Sequence, residues 1–178
     1  MRALLALTLA LAPGLVQAEL RVAATAETSP LAAVDVARAR PGGSAHGGGL
    51  GLAWRLDDGL ELGLAAEWSA EVDAGGRATH LARVPLQITW VAPVADVASL
   101  LFTAELGYAA GIARADDHHE GVGGPTAGLL LGAAIPLADR LELTLHSGLR
   151  ATPLQGHDGP ASGVQIVMPF RAGLRWLI

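Results

Sequence analysis

Histidines are the residues of this chain best suited to coordination chemistry, and five of the six stand in or beside four polar, glycine-rich segments. Carboxylates accompany them, most densely in the run Asp116-Asp117-His118-His119-Glu120. Neutral imidazole together with carboxylate suits zinc, copper or nickel, so a divalent metal is the one cofactor that the pattern allows. No cysteine and no helical histidine spacing sharpens the pattern. The candidate ligands are His46, His80, Asp116, Asp117, His118, His119, Glu120 and His157.

Residues 1–18 have the layout of a cleaved secretory signal peptide. Arg2 gives a positive start, an apolar run extends from Ala3 to Leu15, and Val16-Gln17-Ala18 offers a cleavage point before Glu19. Without this segment, 11 arginines face 17 acidic residues, a formal charge of −6. Such a mild acidic excess gives no reason to expect nucleic acid as a partner. The remaining 160 residues suit one domain.

Hydrophobicity in the rest of the chain alternates from one residue to the next. Mean hydropathy is +0.40, yet no segment after the signal approaches the roughly 18 apolar residues of a transmembrane helix. In residues 60–71 the even positions carry Leu, Ala and Trp, whereas Glu, Gly, Ala and Ser occupy the odd ones. Strand side chains point to alternate faces, so this pattern indicates a two-faced strand. Strands are predicted at residues 50–56, 60–71, 82–90, 100–110, 128–135, 141–150 and 164–176.

A β-barrel is the other way to cross a bilayer with every backbone group paired, so an apolar chain of alternating strands without a spanning helix favours a barrel. An eighth strand is then expected, because bacterial single-chain barrels have an even number of strands. Two segments qualify, residues 20–27 and residues 31–40, with Ser29-Pro30 between them. We favour residues 31–40, which form a simple hairpin through Pro41-Gly42-Gly43-Ser44. Residues 19–30 are then a periplasmic lead-in, with a first strand as the alternative, and the barrel spans residues 31–178.

The predicted connections alternate between short and long. Outer-membrane barrels have short periplasmic turns and longer outside loops, so we expect both chain termini on the periplasmic side. The histidine-bearing segments then lie together on the outside. Short turns are predicted at residues 57–59, 93–97 and 139–140, and long loops at residues 41–48, 72–79, 114–125 and 155–162.

The apolar faces of these strands are assigned to lipid. An eight-stranded barrel has room inside only for side chains that fill it, which excludes the many leucines. The opposite faces are rich in glycine and alanine, which leave space for glutamate and arginine to meet. Buried charges need partners, so we expect a salt-bridged plug and not an open pore. The predicted lumen residues are Arg55, Glu61, Glu67, Arg83, Glu105, Glu142, His146, Arg150, Arg171 and Arg175.

Tryptophans and prolines add two expectations. Trp54, Trp90 and Trp176 fall near the periplasmic ends of their strands, and Trp68 falls near the outer end of its strand. All four are on apolar faces, as expected of aromatic girdles at the two membrane interfaces. Prolines in mid-strand remove ladder donors, so we expect irregular pairing beside them. The prolines at lumen-facing positions are Pro85, Pro136 and Pro169.

The last eight residues carry a further pattern. Arg171, Gly173, Trp176 and Ile178 follow the order of the terminal signal by which outer-membrane barrels are handed to the barrel assembly machinery, with Ile178 in place of the usual Phe. With this signal and its architecture, the segment 31–178 resembles the small eight-stranded outer-membrane barrels of the OmpA/OmpX type. The resemblance implies a monomeric, all-β, up-and-down barrel in the outer membrane of a Gram-negative bacterium. Outer-membrane lipid and lipopolysaccharide are the implied partners.

Barrels of this type include structural anchors, adhesion proteins, ligand binders and a few lipid A-modifying enzymes. Deacylases among them use a histidine and a serine on one face. The nearby pair here is His146-Ser147, and adjacent strand residues point to opposite faces. We therefore expect a non-enzymatic protein that is structural or interacts through its outside loops. Loop-based binding of a divalent metal or small ligand is the alternative, and a lipid A-modifying enzyme is the third hypothesis.

Overall fold

The computed structural model describes residues 19–35, 38–57, 59–73, 76, 78–94, 97–115, 118–156 and 163–178. The expected signal peptide, residues 1–18, lies outside this part of the chain. Nearly all the described residues belong to β-strands. No helix among them is long and apolar enough to cross a membrane.

Nine strands follow one another in the described residues, and the last two occupy a single position in the sheet. A break at Met168-Pro169 separates β8 from β9, and both lie between β7 and β1. Pro169 has no N–H to donate to the ladder, which accounts for the break. The strands are β1 (Glu19–Asp35), β2 (Arg38–Arg55), β3 (Leu60–Asp73), β4 (Ala78–Val94), β5 (Ala98–Ala115), β6 (His118–Ala138), β7 (Leu141–Gly156), β8 (Gly163–Val167) and β9 (Phe170–Leu177).

The strands close into a ring. Each strand pairs antiparallel with its neighbours, and β1 pairs both with β2 and with the two segments β8 and β9. Closure satisfies the backbone groups that an open sheet would leave unpaired at its edges. The predicted all-β, eight-stranded, up-and-down barrel is therefore confirmed.

Alternation along each strand separates two kinds of side chain. On the outside, Leu86 is 63% exposed, Leu106 67% and Leu129 72%. On the inside, Glu105 and Arg150 are each 2% exposed. An apolar surface that surrounds a whole barrel is stable only where lipid covers it. The leucines thus lie on the face that the sequence assigned to lipid.

The first strand begins earlier than the sequence predicts. Residues 19–30 belong to β1, so the preferred interpretation of a lead-in is wrong and the alternative first strand is observed. Residues 31–40 are not one strand, because 31–35 end β1 and 38–40 begin β2. The expected turn contains Gly42 and Gly43 at φ 126° and 127°, where the ladder of β1 and β2 shifts its register. Glycine adopts this backbone without steric cost, so a bulge forms there instead of a turn.

The long loop predicted at residues 41–48 lies entirely in β2, and the one predicted at residues 114–125 is largely strand, so these two predictions are wrong. Of the loops predicted at residues 72–79 and 155–162, only residues 72–73, 78–79 and 155–156 lie in strands. The intervals between strands are 36–37, 74–77, 116–117 and 157–162 at one end, and 56–59, 95–97 and 139–140 at the other. Glycine-rich composition disfavours strands, but ring closure gives these residues ladder partners on both sides. We call the end that holds Glu19 and Ile178 the terminal end and the opposite end the hairpin end.

The three mid-strand prolines coincide with irregular pairing, as expected. Pro85 is buried in the lumen and has no ladder partner on β3. Pro169 is also buried and lies in the break between β8 and β9. Pro136 lies at the exposed terminal end, where the pairing of β6 with β7 shifts before Ala138. Each irregularity occurs where proline cannot supply an N–H.

Three tryptophans lie at a similar height on the outer wall of the barrel, near its terminal end. Trp54 and Trp176 pair with positions of β1 that are two residues apart, and Trp90 pairs with the first residue of β3. Trp68 lies toward the hairpin end of β3 and is 61% exposed. The tryptophans therefore lie near both ends of the outer wall, where two aromatic girdles would be found. Their contact with a membrane interface stays a prediction.

Candidate functional site

The lumen is the candidate site, because inward side chains of distant strands meet there. Glu105 on β5 lies between Gln87 on β4 and Gly128 on β6, and Gly128 lies beside Arg150 on β7. A Cβ at Gly128 would stand only 3.2 Å from Oε2 of Glu105. Glycine at this position therefore leaves room for Arg150 to reach Glu105 across the intervening strand.

The central cluster consists of Glu27, Glu67, Glu105, Arg150 and Arg171. Arg150 donates to Glu105 Oε2 from Nη2 at 2.8 Å and from Nε at 3.2 Å. Arg171 donates to Glu105 Oε1 at 3.1 Å and to Glu27 Oε2 at 2.9 Å. Glu67 lies 3.0 Å from Nη2 of Arg150 and 2.9 Å from Nη2 of Arg171. Several opposite charges therefore surround each arginine, which offsets the cost of removing it from water.

The terminal-end cluster consists of Arg21, Glu61, Glu142 and Arg175. Arg175 donates to Glu61 Oε2 and, from Nε, to Glu142 Oε2, both at 2.7 Å. Nη1 of Arg21 lies 3.2 Å from Glu61 Oε1 and 3.2 Å from Glu142 Oε2. Two arginines thus bridge the same two carboxylates. Glu142 is partly exposed, so this cluster borders water at the terminal end.

The hairpin-end cluster consists of Ser69, Glu71, Arg83 and Gln165. Arg83 donates to Ser69 Oγ at 2.6 Å and to Glu71 Oε1 at 2.5 Å. Ser69 in turn donates to Glu71 Oε1 at 2.8 Å, and the amide of Gln165 donates to Glu71 Oε2. A single buried ion pair is therefore completed by neutral hydrogen-bonding groups, and no second arginine is needed.

Two layers of buried apolar side chains also lie in the lumen. Both layers come from inward positions, and their side chains pack against one another as in other protein interiors. Ion-paired clusters and apolar layers together fill the lumen as a plug. The layer toward the hairpin end consists of Leu81, Ala113, Val122 and Leu154, and that toward the terminal end of Val91, Leu101 and Ala134.

A small cavity of about 80 Å³ separates the central cluster from the terminal-end cluster. Threonines line much of it, including Thr25, Thr89 and Thr103, together with His146. Nδ1 of His146 has no hydrogen-bond partner among the described residues. A cavity of this size has room for a few water molecules, and His146 is one of the residues that line it.

His146 and Ser147 do not form a catalytic pair. His146 lines the lumen, whereas Ser147 pairs with the outward residues Leu131 and Phe170. The two side chains are therefore separated by the wall of the barrel, and one substrate cannot meet both.

The predicted lumen residues belong to the three clusters, with two exceptions. His146 lies in the cavity, and Arg55 lies at the rim of the terminal end, where its Nε donates to the carbonyl of Asp57 at 3.1 Å. Sequence reasoning missed Arg21 and Glu27, because their segment was taken for a lead-in. Their signal was present, since Arg21, Ala23, Thr25 and Glu27 alternate with apolar residues along β1. It also left out Glu71 and Gln165, although both occupy polar faces of predicted strands.

Those of the proposed metal ligands that the structure describes lie in strands. His46, His119 and Glu120 lie in strands, so their assignment to loops is wrong, and His80, which the sequence placed beside a loop, lies in β4. His119 pairs with Arg114 and Glu120 with the buried Ala113, which places these two neighbours on opposite faces. No group of three or more metal-ligating residues is present among the described residues. Asp116, Asp117, His157 and the side chain of His118 lie outside the described part.

The closed ring, the apolar outside and the charged plug define the fold of small eight-stranded outer-membrane β-barrels. Solved structures of this class are similar to the chain. Neisserial surface protein A has a TM-score of 0.72 at 11% identity, covering 89% of this chain and 97% of that one. The N-terminal β-barrel domain of OprF from Pseudomonas aeruginosa has 0.57 at 13%, covering 90% and 100%. Ail, the attachment invasion locus protein of Yersinia pestis, has 0.56 at 8%, covering 90% and 99%.

No family model matches the chain, and no curated protein matches it by sequence. The identities to the solved structures are low, so the likeness concerns architecture. A role must be argued from the residues of this chain, because one fold supports many functions.

Proposed function

We propose that this protein is a non-enzymatic outer-membrane barrel whose lumen is a closed plug and which acts as a structural or interaction element through its hairpin end. The observation that carries the proposal is the filling of the lumen by three ion-paired clusters and two apolar layers. A filled lumen leaves no aqueous channel, so transport is not the function that this interior supports. What remains available to partners is the outer wall and the hairpin end.

The proposed location follows from both ends of the chain. Residues 1–18 have the layout of an export signal, and the final residues fit the terminal signal of outer-membrane barrels. In the fold, Arg171 and Gly173 are inward, Trp176 is outward, and the N–H of Ile178 donates to the carbonyl of Leu20 at 2.9 Å. The terminal end then faces the periplasm and the hairpin end faces outward. The barrel assembly machinery, outer-membrane lipid and lipopolysaccharide are the proposed partners of a monomeric barrel.

The other two hypotheses have less support. Lipid A modification by a histidine and serine on one face is disfavoured, because His146 and Ser147 lie on opposite sides of the wall. Divalent metal binding stays a prediction that depends in part on Asp116, Asp117 and His157, outside the described residues. His46 and His80 are two ligands only, too few for a structural zinc site.

Two measurements on one preparation test the proposal. The outer-membrane fraction run unboiled and boiled on a denaturing gel should give a mobility shift, because a closed barrel resists detergent until heated. The purified barrel in a planar bilayer should give no discrete conductance steps, since the lumen is filled. A heat shift together with steady channel openings would contradict the plug. Recovery of the protein in the soluble periplasm without a shift would overturn the outer-membrane location.

A further inference from the structure

Trp68 stands apart from the other residues of the outer wall. It is 61% exposed on the outward face of β3. Its lateral neighbours are Gly48 on β2 and Ala82 on β4, and the next outward residues along its own strand are Ala66 and Ala70. Small residues therefore surround the indole on all four sides and leave both of its faces uncovered.

The tryptophans of the terminal end have a different setting. Large side chains flank each of them, so their rings are partly covered from the sides. Trp68 is also the most exposed of the four. The flanking pairs are Leu20 and Leu62 for Trp54, Leu60 and Phe102 for Trp90, and Val22 and Leu141 for Trp176.

Two histidines lie one row beyond Trp68 toward the hairpin end. His46 on β2 and His80 on β4 are the lateral partners of Ala70, and both are exposed. With neighbouring strands about 4.8 Å apart, the two imidazoles stand on either side of the methyl group of Ala70. Thr28 Oγ1 lies 3.0 Å from Nδ1 of His46 and holds that ring in place. With Nδ1 engaged by Thr28, Nε2 is the ring nitrogen that donates to a ligand in the tautomer that carries the proton there.

One row on the other side of Trp68 is apolar. Leu50 on β2 pairs with Ala66, and Val84 is the next outward residue of β4 after Ala82; they are 66% and 55% exposed. Because Ala66 carries only a methyl group, a shallow groove lies at this row, and Leu64, the next outward residue of β3, closes it toward the middle of the barrel. Among the described residues, no carboxylate occupies an outward position of β2, β3 or β4 from Leu50 to the hairpin end.

We propose that this surface, the Trp68 patch (Trp68, His46, His80, Leu50 and Val84), binds the headgroup of a phosphorylated glycolipid of the outer leaflet. An uncovered indole stacks against the apolar face of a sugar ring, as aromatic residues do with other flat ligands. The two imidazoles donate to phosphate oxygens, and the absence of carboxylates on the described outward positions favours an anion. An acyl chain lies in the groove between Leu50 and Val84. The inference rests on the proposed orientation, in which the hairpin end meets the outer leaflet.

Native mass spectrometry of the folded barrel in detergent tests the patch with lipid A as the probe. Dephosphorylated lipid A lacks the anion, and phosphatidylglycerol lacks the sugar. We expect one retained lipid A per barrel, and binding of either comparison lipid weaker by about tenfold, the equivalent of one good contact. Equal retention of phosphatidylglycerol would mean that a generic anionic lipid surface, and not a glycolipid site, is present, which would overturn the proposal.

Matched variants locate the binding. Trp68→Leu and the double variant His46→Gln/His80→Gln should each weaken lipid A binding by about tenfold. The controls Trp90→Leu and His119→Gln remove the same residue types elsewhere on the outer wall and should leave it unchanged. Equal losses in Trp68→Leu and Trp90→Leu would reduce Trp68 to an ordinary girdle residue and overturn the site. Each variant must keep the heat shift of a folded barrel. Binding in detergent without recovery from the outer membrane would sink the proposed location alone.

Discussion

The inner and outer faces of the barrel follow the same alternation, yet a side chain is held differently on each. On β3, Glu61 and Glu67 point inward and contact arginines from β1, β7 and β9. The outward residues Leu62 and Leu64 pair laterally with β2 and β4. Inward charges therefore couple strands that are distant in sequence, whereas outward residues act through their neighbours and lipid. Substitutions inside the barrel should therefore have large and mutually dependent effects on the free energy of unfolding. Substitutions on the outer face should have local effects.

Replacement of Arg150 should have the largest effect. Arg150→Met leaves three buried carboxylates with one arginine fewer, because Glu27, Glu67 and Glu105 all contact it. We expect the free energy of unfolding in urea, measured on the refolded barrel in lipid vesicles, to fall by about 3–5 kcal/mol.

The exposed turn residue Arg140 supplies the control for that variant. Arg140→Gln should change the free energy of unfolding by no more than about 0.5 kcal/mol. The double variant Arg150→Met/Glu105→Gln should lose less than the sum of the two single variants, since it removes an unpaired charge. Strict additivity would contradict a coupled interior.

A charge on the outer face tests the other half of the comparison. Leu106→Arg places a guanidinium on the lipid side, where Leu106 is paired with Leu86 and Ala127. We expect a loss of about 2–4 kcal/mol in the same vesicle assay, because no lipid group within the apolar band compensates the charge. Leu106→Gln places a polar but uncharged side chain at the same position and should lose less stability than Leu106→Arg. An arginine variant as stable as wild type would mean that this face meets water.

Gly128 on β6 should affect stability only because a larger side chain would crowd the lumen at that position. Gly128→Ala brings a methyl group to 3.2 Å from Glu105 Oε2 and 3.3 Å from the carbonyl oxygen of Leu149. We expect a loss of about 1–3 kcal/mol in urea unfolding, as in other overpacked interiors. Gly121→Ala is the matched control on the same strand, since its Cβ would meet nothing within 4 Å. Equal changes in the free energy of unfolding in the two variants would mean that the strand propensity of alanine, and not crowding, causes the effect.

Zinc should have the smallest effect. The described residues hold no group of three metal ligands, so we expect the melting temperature of the purified barrel to be the same with zinc and with a chelator. A binder at a hundredfold excess over its dissociation constant would gain about 2.7 kcal/mol. A clear rise that disappears in His46→Gln/His80→Gln would return the metal hypothesis and assign it to these residues.

The sequence predicts the faces well because period two is a local property. Each glutamate on an odd position of residues 60–71 has to share a face with the others, whatever the rest of the chain does. Glu61, Glu67, Glu105 and Arg150 could therefore be named without a structure, and Glu71 shares their pattern although the prediction left it out. Which carboxylate meets which arginine depends on the stagger of the strands around the ring, and no local pattern contains it.

The errors have a common physical cause. Ser29-Pro30 and Gly42-Gly43 are typical of turns, but both lie inside strands because the ring supplies partners on each side. The proline and the paired glycines are accommodated by one bulge where β1 and β2 change register. That misassignment removed Arg21 and Glu27 from the predicted lumen. Local composition thus locates an irregularity, while closure decides whether it becomes a turn or a bulge.

Spin labels on β5 test the central claim, that the leucines face lipid and the charges face a closed interior. The chain has no cysteine, so single cysteine variants can be labelled one at a time. Labels at Phe102, Ala104, Leu106 and Ala110 in vesicles should be accessible to oxygen and not to a water-soluble nickel complex. Labels at Thr103 and Ala109 should be accessible to neither. Even positions that the nickel complex reaches would mean that the apolar face is not in lipid, and the account would be wrong.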